Sequence, residues 1–317
     1  MLKNDDGLVP ATDLPGRHLE FEFPQLRVGV AEYDEGPTGC TVLHFPSRGL
    51  CEVDVRGGSP GLFGGYGYAD AICFAGGSLY GLESATGVAA EILQQRSDAS
   101  WGNVACVSGA IIYDFGVRET LCYPDKTLGR AAFRAAVPGR FPLGRRGAGR
   151  SATVGKVIGS GRFKAEAGGQ GAAVEAIGSL TVGVFTVVNS IGAVIDEDGS
   201  VMRGFMHLES GRRMHLHEII KQCPEELQPF PDQPNGGNTT ISAVVVNQQL
   251  TAYELRQLAR QVHAAMARVI QPFHTIRDGD IMFAVSAGDA PRSMNVEAIG
   301  EFASKLAVSA VRSAVAD

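Results

Sequence analysis

A β-forming run begins abruptly where the chain reads Asn238-Thr239-Thr240-Ile241-Ser242-Ala243-Val244. The segment before it, 207–237, is polar, contains four prolines and ends in Asn235-Gly236-Gly237, a composition typical of an exposed linker. Threonine, isoleucine and valine favour strands because their branched side chains pack well on a pleated surface. We therefore predict an exposed linker that leads directly into a buried strand starting at Thr239.

Thr239 has the chemistry of a nucleophile if the peptide bond before it is cut. A threonine hydroxyl is a weak nucleophile until a base takes its proton, and a free α-amino group on the same residue can be that base because its pKa is about 8. That amine exists only after scission between Asn238 and Thr239, which the hydroxyl itself can perform through an acyl shift to an ester. The alternative is an ordinary strand after a loop, since a two-residue motif carries little specificity.

A second polar motif is Thr275-Ile276-Arg277-Asp278-Gly279-Asp280. Residues two apart at the start of a strand point to one side, so Asp278 and Asp280 are expected to share a partner. Beside a protonated amine, two carboxylates would pair with it and orient it. The alternative is a polar turn, because Asp-Gly is a common turn dipeptide. His263 and His274 are interpreted as structural residues.

Three further polar residues stand in or beside apolar sequence. Lys156 follows Thr153-Val154-Gly155, where a desolvated ammonium would stabilise oxyanion charge or lower the pKa of a neighbouring amine. Asn189 and Tyr113 each end an apolar run, and each can donate a hydrogen bond to an oxyanion. For all three, the alternative is a buried polar group satisfied by the backbone.

Competing motifs fail on their spacing. In Gly76-Gly77-Ser78-Leu79-Tyr80, a tyrosine stands where the hydrolase nucleophile elbow needs its second glycine. Gly155-Lys156-Val157 lacks the Ser or Thr of a phosphate-binding loop. His215 and His217 have no third ligand at helical spacing, so we expect neither a metal site nor an organic cofactor.

The remaining sequence predicts alternating strands and helices. Thr251 and Glu254 form a capping box that opens an amphipathic helix ending near Pro272. The Gly- and Arg-rich segment 136–171 is predicted to be a surface loop. Strands are predicted at 28–33, 40–45, 51–55, 71–74, 104–113, 180–194, 239–246 and 280–286, and further helices at 82–94 and 296–315. Helices segregated from several strands indicate an α+β fold in which sheets pack between helix layers.

Composition limits the classes of partner. The chain has 317 residues with 44% hydrophobic content, enough for a full core, and a net charge of −6 with no block of like charges, which argues against nucleic acid or an anionic membrane. The uncharged segment 176–195 is rich in Val and Thr and broken by glycines, which predicts two buried strands rather than a membrane helix. Six cysteines without a C-x-x-C pair, and an N-terminus without an apolar signal region, predict a cytoplasmic protein with reduced thiols.

Longer passages resemble one known family, the DmpA-like self-processing aminopeptidases and β-peptidyl aminopeptidases. They span most of the chain and comprise 32–39, 54–58, 75–83, 111–115, 123–126, Gly237-Asn238-Thr239-Thr240-Ile241-Ser242 and Gln271-Pro272-Phe273-His274-Thr275. Many aminopeptidase members carry serine as the nucleophile. With threonine at position 239, the chain resembles instead the branch that hydrolyses nylon oligomers. Departure from that branch is expected in 157–168.

The resemblance implies a fold, a site and a reaction. It implies a four-layer αββα sandwich like that of ornithine acetyltransferases, one domain made of an α fragment 1–238 and a β fragment 239–317, assembled as a tetramer of such pairs. It implies cleavage after Asn238 and a catalytic centre composed of Thr239, Lys156, Asn189, Tyr113, Asp278 and Asp280. The expected reaction is hydrolysis of 6-aminohexanoate oligomers, peptides or β-peptides without a cofactor. The alternatives are an aminopeptidase or D-amino-acid amidase-esterase of the same family, an acyltransferase on the same scaffold, and a binding protein that is never cut.

Overall fold

The computed structural model describes residues 2–96, 98, 100–115, 120–157, 160–227 and 238–316. In these ranges the helices are α1 (Glu83–Gln95), α2 (Lys126–Arg134), α3 (Leu216–Gln222), α4 (Ala252–Ala265) and α5 (Val296–Val315), joined by short 3-10 turns. The strands are β1 (His18–Glu20), β2 (Arg27–Tyr33), β3 (Thr38–Val55), β4 (Leu62–Phe63), β5 (Tyr68–Ala75), β6 (Val107–Ile111), β7 (Val137–Pro138), β8 (Arg140–Pro142), β9 (Thr153–Val154), β10 (Phe163–Lys164), β11 (Glu166–Ala167), β12 (Gly169–Ile177), β13 (Leu180–Asn189), β14 (Ala193–Ile195), β15 (Val201–Arg203), β16 (Met206–His207), β17 (Thr239–Gln248), β18 (Ile270–Gln271) and β19 (Ile281–Ala290).

One large sheet organises the molecule. Its strands run in the order β12-β13-β17-β19-β3-β5-β6-β4, and β2 pairs with both β3 and β7. The neighbours are antiparallel except for the parallel pairs β17–β19 and β5–β6. Strand β3 belongs to both halves of this sheet, because its residues 38–44 pair with β2 and its residues 50–55 pair with β19.

The sheet bends at an irregularity in β3 between His44 and Gly49, where Arg48 has a left-handed φ of 52°. The two halves then face each other across a shared apolar core. Phe74 of one half and Phe283 of the other have ring centroids 6.5 Å apart in that core. Truncating one such buried aromatic side chain to alanine typically costs about 3–5 kcal/mol.

Helices cover the outer face of each half. Strand β17 shows why: Ile241 and Val245 face the shared core, whereas Val244 and Val246 contact the cluster formed with α4 and α5. A third cluster packs α1 and α2 on the outer face of β3 and β5. The layers are therefore helix, sheet, sheet and helix, and the α+β prediction is confirmed.

Several local predictions are corrected by the structure. The strands predicted at 40–45 and 51–55 are one strand, β3, because a bulge rather than a turn bends the chain between them. The predicted surface loop 136–171 contains the short strands β7 to β11 and the start of β12. Helix α2 was not predicted, although Asp125 caps it by accepting from the backbone N–H of Leu128.

The predicted linker 207–237 is only partly described. Its first part forms β16 and α3, with Ile219 buried, while 228–237 lies outside the described residues, as do 158 and 159 of the segment 157–168. The uncharged segment 176–195 forms strands, as predicted, ending in β13 and β14. Among the helices in the described ranges, none is long and apolar enough to span a membrane.

Candidate active site

Thr239 is the first residue of β17 and is fully buried. In the antiparallel register of β13 and β17 it lies opposite Asn189, the last residue of β13. Side chains of directly opposed residues lie on the same face of a sheet. Thr239 and Asn189 therefore both point to the face of Ile241, at the end of the core between the two halves of the sheet.

The peptide group before Thr239 is held from two sides. The Thr239 hydroxyl donates a hydrogen bond to the carbonyl oxygen of Asn238. The backbone N–H of Gly279 donates to that same oxygen over 3.0 Å. An N–H donor at this position polarises the carbonyl and stabilises the negative charge that an attack on it would develop.

The contact of Gly279 with this carbonyl oxygen was not expected from the sequence, because Asp278-Gly279 was interpreted only as turn chemistry. A Cβ atom at Gly279 would lie 2.5 Å from the carbonyl oxygen of Ser59 and 3.0 Å from the Thr239 hydroxyl. Ser59 in turn donates its N–H to the carbonyl oxygen of Asp278 over 2.9 Å. Because Gly279 has no side chain, its backbone N–H and the Thr239 hydroxyl can lie close together.

Asp278 is a fully buried carboxylate beside the peptide group that joins Asn238 to Thr239, since its backbone forms a parallel bridge with Asn238. Its Oδ1 accepts from the N–H of Ile191 at 3.2 Å, and its Oδ2 accepts from the N–H and hydroxyl of Thr275 at 3.2 and 2.5 Å. Burial and the neighbouring charge of Asp280 raise the pKa of Asp278 to about 6 despite these hydrogen bonds. Asp278 therefore titrates close to neutral pH.

Asp280 contacts Thr240, the residue that follows Thr239. Its Oδ1 accepts from the backbone N–H of Thr240 at 2.8 Å, and its Oδ2 lies 3.1 Å from the N–H and 3.0 Å from Nδ1 of His274. Asp280 precedes Ile281, which faces the shared core, so its own side chain lies on the α4 side of the sheet. Asp280 is thus placed to fix the start of β17.

Buried His263 and half-buried His274 form a pair behind Asp280. His274 has a left-handed φ of 59°, and its ring centroid is 4.4 Å from that of His263 on α4. Nδ1 of His263 lies 2.9 Å from Oδ2 of Asp54. Burial lowers the pKa of His263. No sequence pattern predicts this arrangement, because its members come from three separate segments.

Lys156, Asn189 and Tyr113 come together as predicted for neighbours of one centre, although Tyr113 does so through its backbone. The Lys156 ammonium donates to the backbone oxygen of Asn189 at 3.0 Å and to its Oδ1 at 3.1 Å. Asn189 Oδ1 also accepts from the N–H of Thr153 at 3.0 Å, and its Nδ2 donates to the carbonyl oxygen of Tyr113 at 2.9 Å. The amide of Asn189 is therefore held in one orientation.

The environment of Lys156 changes its charge state. Burial of the ammonium lowers the pKa of Lys156 to about 7, and the negative charges of Asp278 and Asp114 oppose this shift. At neutral pH a substantial fraction of Lys156 is therefore uncharged and able to accept a proton. Burial also raises the pKa of the Tyr113 phenol.

The site combines a buried hydroxyl, an N–H donor, a lysine that titrates near neutrality and two carboxylates. These groups suit acyl transfer from an amide to a hydroxyl. Within the described residues, no group of three or more His, Cys, Asp or Glu side chains is arranged to hold a metal ion.

The layered fold resembles that of solved aminopeptidases, one of them described as a variant of the N-terminal-nucleophile (Ntn) hydrolase fold. The solved β-aminopeptidase of Burkholderia sp. superimposes with a TM-score of 0.63 at 17% identity, over 99% of this chain and 90% of that chain. The L-aminopeptidase D-Ala-esterase/amidase of Ochrobactrum anthropi, described as a variant of the Ntn hydrolase fold, gives a TM-score of 0.62 at 16% identity, over 99% of this chain and 89% of that one. At such identities the likeness shows the fold.

Sequence comparison finds relatives that are more similar to this chain than these two solved structures are. Residues 22–317 match Peptidase family S58, and the chain belongs to this family. It is 43% identical over 317 residues to the 6-aminohexanoate-oligomer endohydrolase of Kocuria sp. (strain KY2), covering 96% of this chain and 88% of the relative. The predicted DmpA-like family is thus confirmed, and the protein is a hydrolase of amide or peptide bonds.

Proposed function

We propose that this chain is the precursor of an amide hydrolase that cuts itself between Asn238 and Thr239. The observation that carries the proposal is the contact between the Thr239 hydroxyl and the carbonyl oxygen of Asn238. The Gly279 N–H supports it, because a donor to that oxygen stabilises the tetrahedral intermediate of the attack.

In the first step the Thr239 hydroxyl oxygen attacks the carbonyl carbon of Asn238. A C–O ester bond forms and the C–N bond breaks, and the hydroxyl proton finally resides on the nitrogen, which becomes the free α-amine of Thr239. Water then hydrolyses the ester, leaves a carboxylate on Asn238 and restores the hydroxyl. Before this cut the Thr239 nitrogen is an amide and is not basic. Neutral Lys156, beside Asn189 and with a pKa of about 7, serves as the base.

The strand pairing supports a mature protein in which the fragments 1–238 and 239–317 stay associated. Strand β17 of the second fragment pairs with β13 of the first, and β19 pairs with β3. Separating the fragments would break both ladders and open the shared core. Assembly of these pairs into a tetramer remains a prediction, which native mass spectrometry tests.

In turnover the freed amine of Thr239 takes the proton from its own hydroxyl, which attacks the substrate carbonyl. An ester between the acyl group and Thr239 forms, the amine product leaves with that proton, and water releases the acid. Cleavage frees the Gly279 N–H from Asn238, so the same donor serves the substrate oxyanion together with Asn189 and Lys156. Losing one such donor typically costs about 3 kcal/mol of transition-state stabilisation. Asp278 and Asp280 hold the Thr239 amine and the start of β17.

For the substrate we propose linear amides such as 6-aminohexanoate oligomers, on the strength of the 43% identity to the Kocuria endohydrolase. The second candidate is an aminopeptidase, which the Burkholderia and Ochrobactrum structures favour by their fold. Product analysis on a 6-aminohexanoate tetramer distinguishes the two. Internal cleavage gives dimers early, whereas an aminopeptidase releases monomers from the amino end.

The decisive experiment compares three proteins by denaturing gel and intact mass. The wild type should give two fragments, the second beginning at Thr239, and Thr239→Val should give one uncut, inactive chain. Thr240→Val is the matched control, because it removes the neighbouring hydroxyl, whose Oγ1 is buried without a hydrogen-bond partner in the described structure. It should be cut normally. Amide hydrolysis by a wild-type protein that remains a single chain would refute self-processing.

A further inference from the structure

Two surface grooves, of about 410 and 480 Å³, meet at Pro37 and Arg145. Basic side chains are prominent in their lining, in a chain whose net charge is −6. We call the joined space the cationic groove and define it by Arg17, Arg145, Lys164 and the wall 151–153. We propose that the cationic groove binds the free carboxylate end of a linear amide substrate. This proposal rests on the amide hydrolysis proposed for Thr239.

The positive charge of the groove is not fully neutralised by the protein. Arg150 is paired with the buried Glu32 at 3.2 Å and with Asp34 at 2.9 Å. Within the described ranges, by contrast, neither Arg145 nor Lys164 has a carboxylate within ion-pair distance. Arg145 donates only to a backbone oxygen, that of Arg150, at 3.2 Å.

The nearest acidic residue of the lining is already engaged. Glu166 lies two residues after Lys164, but its carboxylate accepts from Arg213 at 2.6 and 2.9 Å and from the N–H of Gly204 at 2.9 Å. An anion that enters the groove therefore meets two uncompensated cations.

The inner end of the groove adjoins the candidate active site. Thr153 lines the groove, and its N–H donates to Oδ1 of Asn189 at 3.0 Å. Asn189 lies opposite Thr239, and opposed residues of an antiparallel pair are about 5 Å apart. Thr153 is partly exposed, whereas Asn189 and Thr239 are buried. Thr153 thus joins the groove to the candidate site, because it lines the groove and contacts the residue opposite Thr239.

The chemistry of a linear amide fits this arrangement. A chain of condensed amino acids ends in a carboxylate on its leaving-group side, and an extended chain advances about 3.5 Å per α-amino-acid residue. A leaving group a few units long can therefore extend from the candidate site into the groove. An arginine guanidinium binds a carboxylate through two parallel hydrogen bonds, which suits Arg145 to this role.

The test uses two substrates that differ only at this end, the linear 6-aminohexanoate trimer and the same trimer as its terminal carboxamide. Arg145→Gln and Lys164→Gln should each raise KM for the acid roughly twofold to fivefold, as expected for the loss of one partly exposed ion pair. Neither variant should change KM for the carboxamide, or kcat for either substrate. Higher ionic strength should likewise raise KM for the acid alone in the wild type.

The controls remove the same charges elsewhere. Lys305→Gln changes an exposed residue of α5, and Arg268→Gln changes an exposed residue after α4. Both should behave as the wild type towards both substrates. Equal changes for acid and carboxamide, or changes no larger than in the controls, would overturn the groove assignment while leaving amide hydrolysis intact. A wild type that is never cut and hydrolyses neither trimer would instead overturn the proposed function.

Discussion

Gly279 donates its backbone N–H to the carbonyl oxygen of Asn238 over 3.0 Å, and the same oxygen accepts from the Thr239 hydroxyl. The nucleophile, the bond that it would cut and the donor for the oxyanion are therefore positioned before any amine is free. The parallel pairing of β17 with β19 produces this geometry, because it aligns the chain before Thr239 with the loop before Ile281. Self-cleavage would then need proton transfer rather than a large rearrangement.

Gly279→Ala should block self-cleavage. Its methyl group would lie 3.0 Å from the Thr239 hydroxyl and 2.5 Å from the Ser59 oxygen, so the loop must shift and the N–H donor moves with it. Since one such donor is worth about a hundredfold or more, we expect a folded chain that is cut at least about a hundred times more slowly, measured by densitometry over time. Gly161→Ala, at an open position with no neighbouring atom, is the control. Cleavage of Gly279→Ala at the wild-type rate would contradict this role.

The rate of self-cleavage should rise as the pH increases through about 7. The pKa of Lys156 is lowered to about 7, so its neutral, proton-accepting form increases above that pH. Asp278, with a pKa raised to about 6, becomes ionised over the lower part of the same range. Above pH 7, Lys156→Met should cut itself at least about a hundredfold more slowly than the wild type, and its rate should lack the rise through pH 7, as expected for loss of a general base. A wild-type rate that decreases through pH 7 would exclude neutral Lys156 as the base.

His274 should act as a positioning residue for Asp280. An asparagine amide can donate to Asp280 much as Nδ1 of His274 does, and asparagine tolerates a left-handed backbone better than alanine. We therefore expect His274→Ala to lower kcat about tenfold or more with little change in KM, and His274→Asn to restore most of it. Unfolding measured in a Thr239→Val background separates this effect from stability. Equal kcat values for the two variants would limit His274 to a structural role.

The elements with a clear pattern were predictable from the sequence. Helix α5 was predicted at 296–315 and observed at those residues, and the capping box of α4 is present at Thr251 and Glu254. Periodicity and caps are local properties, so a single sequence reveals them. Strand β3 was divided wrongly, since only packing of the two sheet halves shows that the chain continues as a strand through the bulge.

The candidate site was predictable in its residue types and not in its contacts. The polar residues in apolar surroundings, such as Lys156 and Asn189, do lie together. Gly279 and His274 could not be found, because one acts through a backbone N–H and the other through contacts among distant segments. Backbone donors and long-range side-chain partners leave no pattern in sequence spacing.

Glu254→Gln should destabilise the protein near neutral pH and not in strong acid. The Glu254 carboxylate accepts from Arg292 at 2.6 and 2.9 Å and from the N–H of Thr251 at 2.7 Å, and these bonds lower its pKa from 4.5 to about 2. Because the folded pKa lies below the unfolded one, the stabilisation is complete above pH 4.5 and is lost as the pH falls to about 2.

For this partly exposed site we expect a loss of about 1 kcal/mol in the free energy of unfolding at pH 7, measured by urea titration in a Thr239→Val background. The difference should vanish near pH 2. Glu301→Gln is the matched control, because its Lys305 partner is 4.0 Å away and both side chains are exposed. An equal loss in the two variants would show that the cap of α4 contributes no more than a surface charge. A larger loss for Glu254→Gln would show that the cap of α4 stabilises the fold by more than a surface charge does.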